Sequence, residues 1–327
     1  MKPSLIALSL ETCIKARRPI FIWGPPGVGK SQVTQQVAEK MQINLIDIRA
    51  ALLDAVDLHG VPEIKNGKTV WAIPDFLPRD GNGLLFFDEL PAAPPLVQNA
   101  CLSLVLDRRL GEYHLPPGYA VGAAGNRQED RAYNSRMSTA LADRFYHVDF
   151  EIDLNDWLAW ALAAGIRMEV IAFIRFCHQF LHQFDPQKET RAFPSPRGWE
   201  YNSDILNTDP DPRIMLDLFS GKVGRAAGTQ FVGFLKIWQS LPDPDAVLMN
   251  PANAPVPDDP QTMWALCGAL TGRVGKNNAG RFMEYANRIP SEFAALMING
   301  AIIKTPEVQN TRPFAQWVSE HHELMVG

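Results

Sequence analysis

The chain has 327 residues, 46% of them hydrophobic and 20% charged, with a formal net charge of −5. That length and composition suggest about two domains able to bury a full core, and the acidic balance excludes a global basic field that would draw the chain to nucleic acid or anionic lipid. No apolar run approaches the roughly 18 residues needed to span a bilayer, and Cys13, Cys101, Cys177 and Cys267 lie far apart without a C-x-x-C pairing, the pattern of buried, reduced thiols in a cytosolic protein.

Met1–Leu8 is too short and too closely followed by Glu11, Lys15, Arg17 and Arg18 for a signal peptide, so it reads as an amphipathic first helix. Pro19–Trp23 is an apolar run of strand length. After it comes Gly24–Ser31 (Gly24, Pro25, Pro26, Gly27, Val28, Gly29, Lys30 and Ser31), which satisfies G-x-x-x-x-G-K-[ST]. Such a loop cradles phosphates with converging backbone amides. Its glycines permit close approach, its lysine supplies a point charge, and its hydroxyl can ligate Mg²⁺. From Lys30, the spacing of Val33, Val37 and Met41 predicts a helix. Strand, glycine loop and helix together are the context this motif requires.

Asn44–Ile48 is a second short strand, and Ala50–Asp57 reads as helical. In Val61–Ile73, Asn66-Gly67 between two extended runs predicts a β-hairpin projecting from the domain. Leu84–Phe87 is a continuous apolar run, as in a strand buried on both faces, and it ends in Asp88-Glu89, at the strand end where α/β sheets place ligand sites. Leu96, Val97, Ala100, Cys101, Leu104 and Val105 mark one face of a helix. Arg109–Gly125 reads as a second hairpin that turns at Pro116-Pro117-Gly118 and returns as Tyr119–Ala124, with Asn126 at its end. Phe145–Phe150 is a fifth strand.

Beyond Phe150 the pattern is mainly helical, with proline-rich breaks at Phe193–Pro196, Asp209–Pro212 and Leu241–Pro260. The expected domains are therefore residues 1–150, an α/β core, and 151–327, a helical region.

A phosphate loop alone implies nucleotide binding; hydrolysis needs further groups. Asp88 is placed to hold a Mg²⁺ hydration shell and Glu89 to orient and polarise the attacking water. Asn126 could hydrogen-bond that water or the γ-phosphate, and Arg136, Arg144 and Arg197 are candidate stabilisers of transition-state charge.

These residues resemble an AAA+ ATPase of the MoxR branch. The features that carry the resemblance are the phosphate loop, the hairpin insertion, Leu84-Leu85-Phe86-Phe87-Asp88-Glu89-Leu90, the second hairpin and Ala123-Ala124-Gly125-Asn126. Asp88–Pro95 followed by Gln98, Leu141–Phe145 and Ser195-Pro196-Arg197 sharpen it. The resemblance covers about residues 1–205. It implies an α/β P-loop NTPase core with a parallel sheet in the order 5-1-4-3-2, helices on both faces and hairpin insertions, followed by an all-helical lid. It assigns Gly24–Ser31 to ATP, Ser31 and Asp88 to Mg²⁺, and Asp88-Glu89 to the Walker B pair. Asn126 becomes sensor 1, Arg144 an arginine finger acting in trans with Arg136 as a secondary candidate, and Arg197 sensor 2 acting in cis. It also implies hexameric rings, chaperone-like remodelling, and a protein partner carrying a von Willebrand factor A domain. The region after about Asp209 is longer than a minimal lid, and no chemistry is assigned to it.

Other signals are weaker. His178 and His182 have i, i+4 spacing suited to zinc on a helix, but no third ligand is evident, so they read as ordinary helix histidines. Trp157, Trp160, Phe173, Phe176 and Phe180 fall at helical spacings and read as lid core rather than a base-stacking platform. The Asn-Lys-x-Asp guanine signature is absent, which favours ATP over GTP. The leading functional expectation is a Mg²⁺-dependent, oligomeric, cytoplasmic ATPase that remodels a protein partner. The alternatives are a nucleic-acid-processing motor and the motor subunit of a metal chelatase.

Overall fold

The computed structural model describes residues 1–130, 137–188 and 190–324. The chain divides into two compact units, residues 1–153 with 185–189 and residues 154–184 with 190–327.

The first unit runs α1 (Pro3–Ala16), β1 (Ile20–Trp23), α2 (Lys30–Met41), β2 (Asn44–Arg49), α3 (Ala55–His59), β3 (Val61–Lys65), β4 (Lys68–Ala72), β5 (Asn82–Asp88), α4 (Pro95–Asp107), β6 (Arg109–Leu110), β7 (Tyr113–His114), β8 (Gly118–Gly125), α5 (Thr139–Ala142) and β9 (Tyr146–Asp149). Five strands form one parallel sheet in the order β2-β5-β8-β1-β9. Counted along the chain as core strands one to five and read from the β9 edge, this is the expected 5-1-4-3-2.

The alternation of side chains along β5 explains its unbroken apolar run. Leu84 and Phe86 pack with Ile6, Leu10, Val33 and Val37 of α1 and α2 on one face. Leu85 and Phe87 pack with Val97, Cys101 and Leu104 of α4 on the other. Each such fully buried side chain contributes about 1.5–3 kcal/mol of apolar transfer free energy. The sheet is thereby fixed between two helical layers, with the carboxyl ends of its strands along one edge.

The first hairpin forms as expected. β3 and β4 pair antiparallel, and both turn residues have positive φ, Asn66 at 55° and Gly67 at 72°, the conformation a type I′ turn requires.

Three local expectations are corrected. The second hairpin is smaller than predicted: β6 pairs with β7 around Gly111, whose φ is 57°. The run after Pro117 is not its return arm but β8, a core strand parallel to both β5 and β1. Residues 50–57 are not one helix; a 3₁₀ turn at Ala50–Leu52 is followed by α3, which opens on a capping box between Asp54 and Asp57. Leu96 lies on the solvent side of α4, 67% exposed.

The second unit is helical: α6 (Leu154–Ala163), α7 (Met168–Phe176), α8 (Pro196–Asn207), α9 (Pro212–Val223), α10 (Arg225–Gln239), α11 (Pro244–Met249), α12 (Pro260–Arg273), α13 (Ala279–Ala286), α14 (Ser291–Lys304) and α15 (Arg312–Glu320). The proline-rich breaks become helix starts, because Pro196, Pro212, Pro244 and Pro260 each occupy the first helical position, where no N–H is missed. Trp199, Phe173, Phe231 and Phe234 interlock at its centre, and the Trp199 indole N–H donates to the Phe180 carbonyl at 2.6 Å. A second cluster around Leu266, Phe282, Tyr285, Met297 and Trp317 builds the C-terminal part.

His178 and His182 do not share a helix face. α7 ends at Phe176, Cys177 leaves helical geometry at φ −115° and ψ 58°, and His178–Phe180 is a 3₁₀ turn. Cys101, Cys177 and Cys267 are buried free thiols and Cys13 is half-buried; burial pushes the Cys101 and Cys267 thiols up to about 12. Among the described residues, no helix is long and apolar enough to cross a membrane.

Candidate functional site

The phosphate loop leaves β1 at Trp23 and enters α2 at Lys30. Gly24 donates its amide to the Gly125 carbonyl at 3.2 Å, which ties the loop's base to the end of β8. A Cβ on Gly24 would lie 2.9 Å from the Phe150 Cβ, so only glycine fits without displacing the chain. Gly27 and Gly29 have φ of 78° and 103°, the left-handed region that a side chain disfavours. Gly29 offers α2 no side-chain cap. A helix start of this kind suits an anion.

Lys30 is 9% exposed. Its ammonium donates to the Gly24 carbonyl at 2.7 Å, the Pro25 carbonyl at 3.0 Å and Asn126 Oδ1 at 3.0 Å. Ser31 Oγ donates to Asp88 Oδ2 at 2.7 Å, and Asp88 Oδ1 accepts the Glu89 amide at 2.9 Å. Lys30, Ser31, Asp88 and Asn126 come from three different segments and meet at the ends of three adjacent strands. Glu89 follows in the left-handed region, φ 56°, with its side chain exposed. A non-glycine residue in that conformation is uncommon. Here it turns the chain sharply from β5 into the 3₁₀ segment Leu90–Ala92.

The close approach of that segment explains Gly125, because a Cβ there would lie 2.4 Å from Pro91 Cδ. With no side chain at 125, the end of β8 packs against the 3₁₀ segment that follows Glu89.

Several polar residues at this edge were not singled out from the sequence. Asp47 and Arg49 lie on β2, where Arg49 is in register with Asp88. Partial burial and then the Asp88 charge push the Asp47 carboxyl above its ordinary range, with Arg49 opposing. Arg127 Nε donates to Asp149 Oδ1 at 3.0 Å, joining the residue after Asn126 to β9. An acid or base in an otherwise apolar strand was the available signal for Asp47 and Arg49. For Arg127 and Asp149 there was none, since their contact spans two segments.

The arginines fall into three groups. Arg144 lies two residues before β9, half-buried, and its Nη1 donates to the exposed Asp143 carboxylate at 2.5 Å. Arg197 belongs to the second unit, exposed in the first turn of α8, whose start is capped by Ser195 Oγ accepting the Gly198 amide at 3.1 Å. Arg136 lies outside the described residues.

The donor set suits a hard cation. The Ser31 hydroxyl and the Asp88 carboxylate present adjacent oxygens, and Mg²⁺ takes few protein oxygens and keeps several waters. Among the described residues there is no group of three or more His, Cys, Asp or Glu able to enclose a metal. The Lys30 ammonium, held by loop carbonyls and an amide oxygen, has acceptors that phosphoryl oxygens could replace.

A family model described as the MoxR domain in MoxR–vWA–β-propeller ternary systems matches residues 2–177. The chain belongs to the MoxR family of AAA+ proteins. The match to this MoxR chain takes in the phosphate loop, the acidic strand end, Asn126 and Arg144. It stops before Arg197 and most of the helical unit. No curated protein matches the chain.

Solved structures offer distant likenesses. NtrX from Brucella abortus in complex with ADP is 17% identical, with 98% of this chain and 67% of that one covered and a TM-score of 0.42. Another NtrX structure from Brucella abortus is covered over 52% of its length and 64% of this chain, at 17% identity and a TM-score of 0.40. A mutant of RuvB from Thermotoga maritima is 17% identical over 81% of this chain and 79% of that one, with a TM-score of 0.39.

Proposed function

We propose that this MoxR chain is a Mg²⁺-dependent ATPase that works as a ring oligomer, most simply a hexamer, and drives the chaperone-like remodelling or activation of a protein partner. The observation that carries the reading is the meeting of Lys30 with Asn126 and of Ser31 with Asp88. It joins a phosphate-binding loop to the polar groups that hydrolysis needs.

In this reading Gly24–Ser31 hold the triphosphate, with the backbone amides and Lys30 directed at its oxygens. Ser31 and Asp88 would hold Mg²⁺, which would supply positive charge to the phosphates. Glu89 takes a proton from the attacking water, whose oxygen bonds the γ-phosphorus as the bond to ADP breaks. Asn126 orients that water or the γ-phosphate. Arg144 supplies positive charge to the site of a neighbouring subunit, and Arg197 supplies it within its own chain.

The partner class is read from the family description, which names a von Willebrand factor A component. The core 1–150 would then carry the chemistry and 151–327, a lid with a helical extension, would transmit it. Free thiols and the lack of a membrane-crossing helix among the described residues suit a cytoplasmic location. A nucleic-acid motor or a chelatase motor would use the same site; the net charge of −5 favours a protein partner over nucleic acid.

Lys30→Ala should abolish ATP binding, and Arg144→Ala should bind ATP with little turnover. Mixing the two variants should restore turnover, because some interfaces pair an intact phosphate loop with an intact arginine. Co-assembled subunits that stay inactive at every ratio would overturn the trans assignment.

A further inference from the structure

We infer that His147 is a positioning residue that sets the Arg144 turn against the base of the phosphate loop. The inference rests on the reading of Arg144 as a charge-stabilising arginine, and it names the group that holds it.

His147 lies on β9, in register with Phe21 of β1. Its Nδ1 accepts the Trp23 indole N–H at 2.9 Å, and its Nε2 lies 2.8 Å from the Ala142 carbonyl. An indole N–H only donates and a carbonyl only accepts. The two partners therefore fix the state of the ring: neutral, with the proton on Nε2. An imidazolium would set one of its N–H groups against the indole N–H.

The two partners sit at functionally pointed places. Trp23 is the last residue before Gly24. Ala142 is two residues before Arg144, and its carbonyl also accepts the Phe145 amide at 3.1 Å, closing the turn from which Arg144 projects. One imidazole thus links the strand that launches the phosphate loop to the turn that carries the arginine.

The ring is itself held in place. It lies 5.8 Å from the Phe21 ring and 6.4 Å from Phe145, and stacks on Trp23 at 6.1 Å and 23°. Phe21 and Phe145 meet edge to face at 5.5 Å. Since Phe21 is fully buried and Phe145 nearly so, the aromatic group anchors an otherwise exposed histidine. Packing alone would be served by any flat ring at 147. The paired acceptor and donor would not.

That difference supplies the test. His147→Phe keeps a flat ring and removes both hydrogen bonds; His147→Gln can place an amide N–H where Nε2–H stood. If His147 acts through Arg144, His147→Phe should lower kcat for ATP about ten- to a hundredfold, the scale of a small misplacement of a catalytic group. His147→Gln should recover most of the turnover. In an Arg144→Ala background, His147→Phe should cost nothing further. Nitrogen NMR of the full chain, with the His147 signals assigned by their loss in His147→Gln, should report the Nε2–H tautomer at neutral pH. An Nδ1–H tautomer, parental turnover in His147→Phe, or losses that multiply in the double variant would each overturn the inference. Parental turnover in Arg144→Ala would instead sink the reading of Arg144 itself, and the role of His147 with it.

Discussion

The two units spend their polar residues differently. In the helical unit, many serve helix starts: Ser195, Asp211, Asp243, Asp259 and Thr311 cap α8, α9, α11, α12 and α15 through their side chains. In the α/β unit, α2 begins without a side-chain cap, and the polar residues near it bond one another instead, as Lys30 does with Asn126 and Ser31 with Asp88. A capped helix end has satisfied its own amides. An end without a side-chain cap, beside a lysine and a carboxylate, suits an anionic ligand. α7, α10, α13 and α14 also start without a side-chain cap, so what sets α2 apart is its place beside Lys30 and Asp88.

Trp199 tests the stability side of that contrast most severely. It is fully buried, with its indole N–H bonded to Phe180. Trp199→Ala should lower stability by about 3–5 kcal/mol in denaturant titrations. A loss below about 1 kcal/mol, the scale of a surface change, would mean that the aromatic cluster does not hold the helical unit together.

Gly125→Ala tests the functional side. Its Cβ would press on Pro91 at 2.4 Å, so either the acidic turn or β8 must shift. The expected cost is about 1–3 kcal/mol by thermal melting, accompanied by weaker ATP turnover because Asn126 moves with β8. Unchanged turnover would show that the spacing of β8 and the acidic turn does not govern the chemistry.

The smallest expected effect is at Asp47, whose carboxyl is raised first by burial and then by Asp88. A raised carboxyl costs stability when charged. Asp47→Asn should therefore raise the melting temperature slightly at neutral pH. The gain should fade as pH falls through the carboxylate range, where both states become protonated. A gain of equal size at acidic pH would locate its cause elsewhere than the charge.

Sequence reading reached furthest where a local rule fixes the conformation. Gly27 and Gly29 need positive φ, Asn66-Gly67 needs a primed turn, and the apolar run of β5 needs two covered faces; each pattern is written in consecutive residues. It went astray where the deciding contact is remote. Tyr119–Ala124 follows the turn signal Pro116-Pro117-Gly118 and so reads as a hairpin arm; only its pairing with β5 and β1 makes it part of a core strand. The i, i+4 spacing of His178 and His182 assumed a helix that ends at Phe176. The same reason hid His147. Its partners lie 124 and five residues upstream, and no spacing in the sequence records that meeting.

Hydrolysis in this proposal turns on Glu89 activating water at a site assembled by Lys30, Ser31, Asp88 and Asn126. The direct measurement is ATP binding and single-turnover hydrolysis by the Glu89→Gln variant in the presence of Mg²⁺. ATP should bind with an affinity close to that of the parent, and hydrolysis should slow about a hundredfold or more. Hydrolysis at the parental rate would contradict the role given to Glu89.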